Sequence, residues 1–126
     1  PPDTIRSDVP VLHKLIEAYK LWQARLPHLP RLARYTLGVK IDQLFTDTIE
    51  TTLLAAYTVR EQKLSVIQKG NVKLDALKLF LRVAWETKML DHQAYANISA
   101  PLGEVGKMIG GWIKDLKKKT SAGAEE

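Results

Sequence analysis

Apolar residues recur at intervals of three and four along almost the whole chain, and stretches that alternate apolar with polar are nearly absent. That spacing puts one apolar stripe on each of a series of helices and leaves little room for sheet. A first stripe of Leu12, Leu15, Ile16, Tyr19, Trp22 and Leu26 predicts a helix over about residues 10–26. Asp8 or Ser7 is positioned to cap it, Pro10 suits its first turn, and Pro27 and Pro30 punctuate the loop behind it. A second repeat runs through Leu37, Ile41, Leu44, Phe45, Ile49, Thr52, Ala56, Val59 and Lys63, predicting a long helix over about 32–64. Gly70-Asn71 reads as a turn before a third helix at about 72–88. Asp91 reads as the cap of a fourth at about 92–118, with Tyr95, Ile98, Leu102, Val105, Ile109, Trp112, Ile113 and Leu116 on one face and Pro101 as a candidate kink. Residues 120–126 read as a flexible, solvated tail, and residues 1–6 as a frayed end. Short connections favour antiparallel neighbours, so the expected architecture is all-α: a single domain over residues 1–126, an up-down-up-down four-helix bundle. The length of 126 residues suits one domain and excludes a two-domain enzyme.

Two helices carry more than a bundle requires. On the third, Leu74, Leu77, Leu81 and Ala84 line one side while Val72, Ala76, Leu79 and Val83 lie nearly opposite. A helix in a simple bundle needs one apolar face, so the second stripe is covered either by a helix sunk deep in its own monomer or by another subunit. The fourth helix holds Gly103, Gly106, Gly110 and Gly111, each costing roughly 1 kcal/mol relative to alanine in a helix interior. The first three fall on one flank and form a smooth strip that another backbone can approach closely; the alternative is a helix broken at Gly110-Gly111. Val72, Leu79, Val83, Gly103, Gly106 and Gly110 are therefore the candidate interface residues.

Composition narrows the chemistry. Without cysteine there are no disulfides, thiolate metal sites or thiol nucleophiles, which fits a reducing, cytoplasmic setting. His13, His28 and His92 are scattered, with no Glu-x-x-His pair and no carboxylate cluster suited to metal. Phosphate-binding glycine loops and nucleophile elbows are missing as well. No enzyme activity, cofactor or metal is expected, and no apolar run approaches the ~18 residues of a membrane span. The net charge of +5 matters more for its distribution, because basic blocks at 31–40, 60–82 and 107–119 alternate with acidic ones at 41–59 and 83–106. A charge run is often only a solvated face. Brought together by folding, the same blocks make a surface for phosphates. Arg60, Lys63, Lys73, Lys78 and Arg82 are the candidates around the third helix; Lys107, Lys114, Lys117, Lys118 and Lys119 climb the fourth. A hairpin turning at Gly70 brings Arg60 alongside Asp75 and Lys78, with Arg82 one turn further on. Aromatic residues interleaved for single-strand stacking are not evident.

Local patterns from Leu37 to Lys118 carry a resemblance: Ala56-Tyr57 followed by Arg60 and Lys63, then Asn71-Val-Lys-Leu-Asp75, then Leu102-Gly-Glu-Val-Gly106 closing on Gly110-Gly-Trp-Ile-Lys114. About two-thirds of the chain resembles the accessory variability determinant of diversity-generating retroelements, most specifically in its Gly-Gly-Trp-Ile-Lys ending. The resemblance implies a four-helix bundle assembling as a ring-like homopentamer, a basic barrel that binds the retroelement reverse transcriptase and template RNA, and possible DNA contact as cDNA forms. It implies no catalysis. A binding role carries over to Arg60, Lys63, Lys73, Arg82, Lys107 and Lys114. Pro101 departs from the usual run of the family's last helix. A sister family, the four-helix protein encoded in intervening sequences of bacterial large-subunit ribosomal RNA, shares the fold and keeps open a structural adaptor without a reverse-transcriptase partner.

Overall fold

In the computed structural model of this chain, residues 9–125 are described along the backbone and residues 9–119 in their side chains. Among the described residues there are five α-helices: α1 (Pro10–Arg25), α2 (Arg31–Tyr35), α3 (Leu37–Tyr57), α4 (Arg60–Glu86) and α5 (His92–Glu125), with a 3-10 turn at Leu26–His28 behind α1. Pro10 stands in the first turn of α1, as its fixed φ and missing N–H favour. The capping residues expected there, Ser7 and Asp8, lie outside the described residues. Asp91 does cap α5, its Oδ1 accepting the Ala94 N–H at 2.7 Å.

The four long helices pack around one core in alternating directions. Along α3 and α4 the partners run oppositely: Lys40 lies over the Phe80 ring, Lys73 meets Asp47 and Gly70 meets Thr51. The same reversal relates α1 to α5, through Lys14–Glu104 and Arg25–Asp91. It relates α4 to α5 as well, through Lys78 with Gly106 and Trp85 with Tyr95. Leu15, Trp22, Ile41, Phe45, Ile67, Leu74, Leu77, Leu81, Ile98, Leu102 and Ile109 fill the interior. At about 1.5–3 kcal/mol for each large side chain fully removed from water, this core is the main source of stability.

Helix boundaries differ from the sequence expectation in four places. The expected helix over 32–64 is interrupted at Thr36 and again at Thr58-Val59, and the expected turn at Gly70-Asn71 lies in the middle of α4. Thr58 and Val59 are β-branched, adopt extended ψ values of 146° and 151°, and stop α3 without glycine or proline. Thr58 Oγ1 donates to the Leu54 carbonyl at 2.6 Å and satisfies one of the carbonyls the helix end leaves open. The apolar repeat stays in phase across this two-residue connection, which is why periodicity alone runs through it. Helix α5 is continuous through Pro101 and Gly110-Gly111 and extends to Glu125, past the boundary expected at Lys118. Lysine and alanine, which favour helix, continue beyond that point.

Two buried glycines do opposite work. At Gly38 a Cβ would stand 3.0 Å from the Ala33 carbonyl oxygen, a tight contact with backbone that would push α2 away from the start of α3 by a few tenths of an ångström. At Gly70 the nearest atom would be Thr51 Cγ2 at 3.5 Å, an ordinary contact in an ordinary helix. Gly70→Ala is therefore expected to raise stability by up to about 1 kcal/mol, and Gly38→Ala to lower it, in urea denaturation. A turn at Gly70 predicts the reverse for the first variant.

One polar tie locks α1 to α3. Trp22 is fully buried, its Nε1 donates to Asp42 Oδ1 at 3.2 Å, and the Tyr19 hydroxyl donates to the same oxygen at 3.0 Å. Burial, then the Asp42 carboxylate, raises the Tyr19 pKa above its ordinary value. Asp42→Ala leaves an indole N–H without its partner and is expected to cost about 1–3 kcal/mol, read from the shift in urea midpoint.

Candidate interaction surface

The candidate cations do not form one patch. Lys63 is half-buried: its Nζ donates to the Ala56 carbonyl at 3.3 Å, near the end of α3, and lies 5.9 Å from the Trp112 ring centroid. It is a tie between α3, α4 and α5, combining carbonyl capping with a cation–π contact. Lys73 pairs with Asp47 of α3 at 3.7 Å. Arg82 pairs with Glu86 one turn along α4, at 2.7 Å, and that hydrogen-bonded carboxylate raises the Arg82 pKa. Arg60, Lys107 and Lys114 are exposed. Arg60 and Asp75, expected side by side across a turn, lie on one helix fifteen residues apart, about 22 Å along its axis.

Lys78 occupies the seam between α4 and α5. Its Nζ sits 2.6 Å from where a Cβ on Gly106 would be, so the missing side chain at 106 makes room for the ammonium group. Helical projection puts Lys78, Arg82 and Asp75 in a row along α4, between that seam and the outer stripe of the helix. On the outer stripe Val72 is 67% and Leu79 56% exposed, with Val83 and Ala76 half-buried. The second apolar face of this helix is thus left uncovered by the described chain, and a helix sunk in its own monomer is not the explanation. On α5, Gly103, Gly110 and Gly111 face open space, while Gly106 is filled from within by Lys78.

A groove of about 540 Å³ opens where α1 begins and α3 ends, bounded by Val9, Pro10, Ala56, Met108 and Trp112, with Lys63 and Lys107 on its rim. Sequence reasoning missed Asp42, the clasp between Lys14 and Glu104, and Trp85. Lys14 and Glu104, 2.8 Å apart on α1 and α5, carry no signal along the chain because they meet only across the bundle. Each shifts the other through their hydrogen bond, raising the Lys14 pKa and lowering that of Glu104. The clasp is therefore complete at neutral pH, lost in acid as Glu104 protonates below the usual carboxylate range, and screened by salt.

Among the described residues no cluster of His, Asp or Glu is arranged to hold a metal ion, and no helix is long and apolar enough to cross a membrane. The described residues thus form an all-helical scaffold with exposed apolar and basic positions along α4. A family model for bAvd-like proteins matches residues 11–116, and the chain belongs to that family, the bacterial accessory variability determinants. Its members are generally non-catalytic accessory proteins, and membership implies an accessory role in a diversity-generating retroelement. Searches of curated proteins and of solved structures return no match.

The lysines separate by what they touch. Lys63→Met is expected to lose about 1 kcal/mol of stability with its carbonyl and ring contacts. Lys114→Met, at an exposed position, should stay within about 0.5 kcal/mol of the parent in the same denaturation experiment.

Proposed function

We propose that this protein is a cytoplasmic, non-catalytic partner of the retroelement reverse transcriptase. It binds the enzyme and its template RNA, and the cDNA as it forms, to support mutagenic retrohoming. The observation that carries this reading is the pairing of family membership with a row of cations, Lys78 and Arg82, beside the uncovered Val72 and Leu79 of α4. Apolar side chains left in water favour association with another surface. In this reading Val72, Leu79 and Val83 join subunits, with Gly103 and Gly110 of α5 giving a close approach while Gly106, expected in the same strip, is taken up by Lys78 of its own chain, and the assembly is a homopentamer. Rotational copies then multiply each charge of Arg60, Lys63, Lys73, Lys78, Arg82, Lys107 and Lys114 around a ring. That repetition strengthens the field that draws in a polyanion.

Light scattering tests the assembly. Leu79→Glu is expected to dissociate it with helicity retained, since the side chain is exposed in the single chain. A parent protein that is monomeric at micromolar concentration rejects the interface. Binding is tested by combining Lys78→Glu with Arg82→Glu, which should abolish association with the reverse transcriptase or its RNA at physiological salt while size and circular dichroism stay unchanged. Reversal of Lys117 and Lys118 should do less. A structural adaptor of the ribosomal intervening-sequence type predicts no saturable RNA binding, and no linear fall of log affinity with log salt.

A further inference from the structure

The turn between α4 and α5 holds a feature that neither bundle packing nor the basic rows require. Trp85, near the end of α4, keeps 36% of its surface exposed. Its ring is held from one side, where Tyr95 of α5 lies parallel at 4.8 Å between centroids and 3° between planes. His92 stands at 6.0 Å, tilted by 50°. Next to the indole opens a cavity of about 490 Å³, rimmed by Glu86, Lys88, Leu90, Asp91 and His92. Lys88 takes φ 66°, the left-handed region, where glycine is the residue without steric cost. That conformation closes α4, with the Met89 N–H donating to the Ala84 carbonyl at 2.8 Å and the Lys88 N–H to the Trp85 carbonyl at 3.0 Å, and it fixes where the Lys88 side chain leaves the helix end.

Charge on the rim is settled by pairing. Glu86 accepts from Arg82 at 2.7 Å, and Asp91 accepts from Arg25 at 3.2 Å and from the Ala94 N–H at 2.7 Å. Two carboxylates are thus matched by two guanidinium groups, and Lys88 remains as excess positive charge.

We propose that this slot takes an unpaired base of single-stranded RNA, stacked on Trp85 with its phosphate at Lys88. The proposal rests on the nucleic-acid reading above and adds a site to it. A ring already ordered by a parallel neighbour offers a flat π face that any base can use without ordering a mobile side chain first. A compact ammonium group suits a single phosphate oxygen. An acidic peptide would use the lysine but leave the indole face unused.

The test compares a twelve-nucleotide oligo(A) RNA with an abasic ribose-phosphate strand of equal length. Trp85→Leu is expected to weaken oligo(A) binding by about 5- to 150-fold with the salt slope unchanged, and to leave the abasic strand unaffected. Lys88→Gly should lower the salt slope by about one phosphate contact. In a Trp112→Phe background, where the fully buried Trp22 contributes a constant signal, oligo(A) should quench the emission of the exposed Trp85 while the abasic strand does not, a readout that needs no change at the slot. Absence of that quenching, or equal weakening of both strands by Trp85→Leu, overturns the slot and leaves the nucleic-acid reading standing. Preference for an acidic peptide over both strands overturns it too. If the parent protein binds neither strand, both readings fall.

Discussion

Helix α4 has to bury one ridge against two neighbours at once. Ile67, Leu74, Leu77, Leu81 and Ala84 are all fully enclosed, with α3 on one side and α5 on the other. Because the links on either side of α4 are a two-residue extended step and a left-handed turn, both neighbours must run antiparallel to it. Helix α1 then closes the bundle by lying against α3 and α5, where the Trp22–Asp42 hydrogen bond and the Lys14–Glu104 clasp set its position. Removing the two-sided burial of α4 would leave each remaining helix pair without its common wall.

That same demand explains what α4 leaves outside. A helix wedged between two neighbours has its core positions within a limited arc, so Val72 and Leu79 on the far side are left largely exposed by the described residues. Two exposed aliphatic side chains are common on any protein surface. Here they lie on one stripe with the half-buried Val83 and Ala76, next to a row of charge, and this contiguity is what the proposed association surface rests on.

Cations serve two ends in this molecule. Lys63 and Lys73 hold helices together by reaching a carbonyl and a carboxylate, and their charge comes to the surface only in part. Lys78 reaches the seam that Gly106 leaves open. Family membership accounts for the accessory role, and which of these cations are taken up in packing is the contribution of the fold.

Along the chain, the spacing of apolar residues was enough to establish an all-helical fold, the faces of α1 and α5, the buried ridge of α4 and the cap at Asp91. These are local properties, because a stripe with a period of 3.6 residues and a capping carboxylate act within one or two turns. The break at Thr58-Val59 was not legible, since the repeat keeps phase across it and its residues lack the usual marks of a turn. Gly70 carries the mark of a turn without making one, because a helix packed on both sides tolerates the cost of an interior glycine. Misplacing that turn misplaced the partners of Arg60 as well. Which lysine meets Asp47, which oxygen receives the Trp22 N–H and which aromatic ring lies under Trp85 were decided only in the tertiary structure, where residues 10 to 26 positions apart are brought within ion-pairing, hydrogen-bonding or stacking distance.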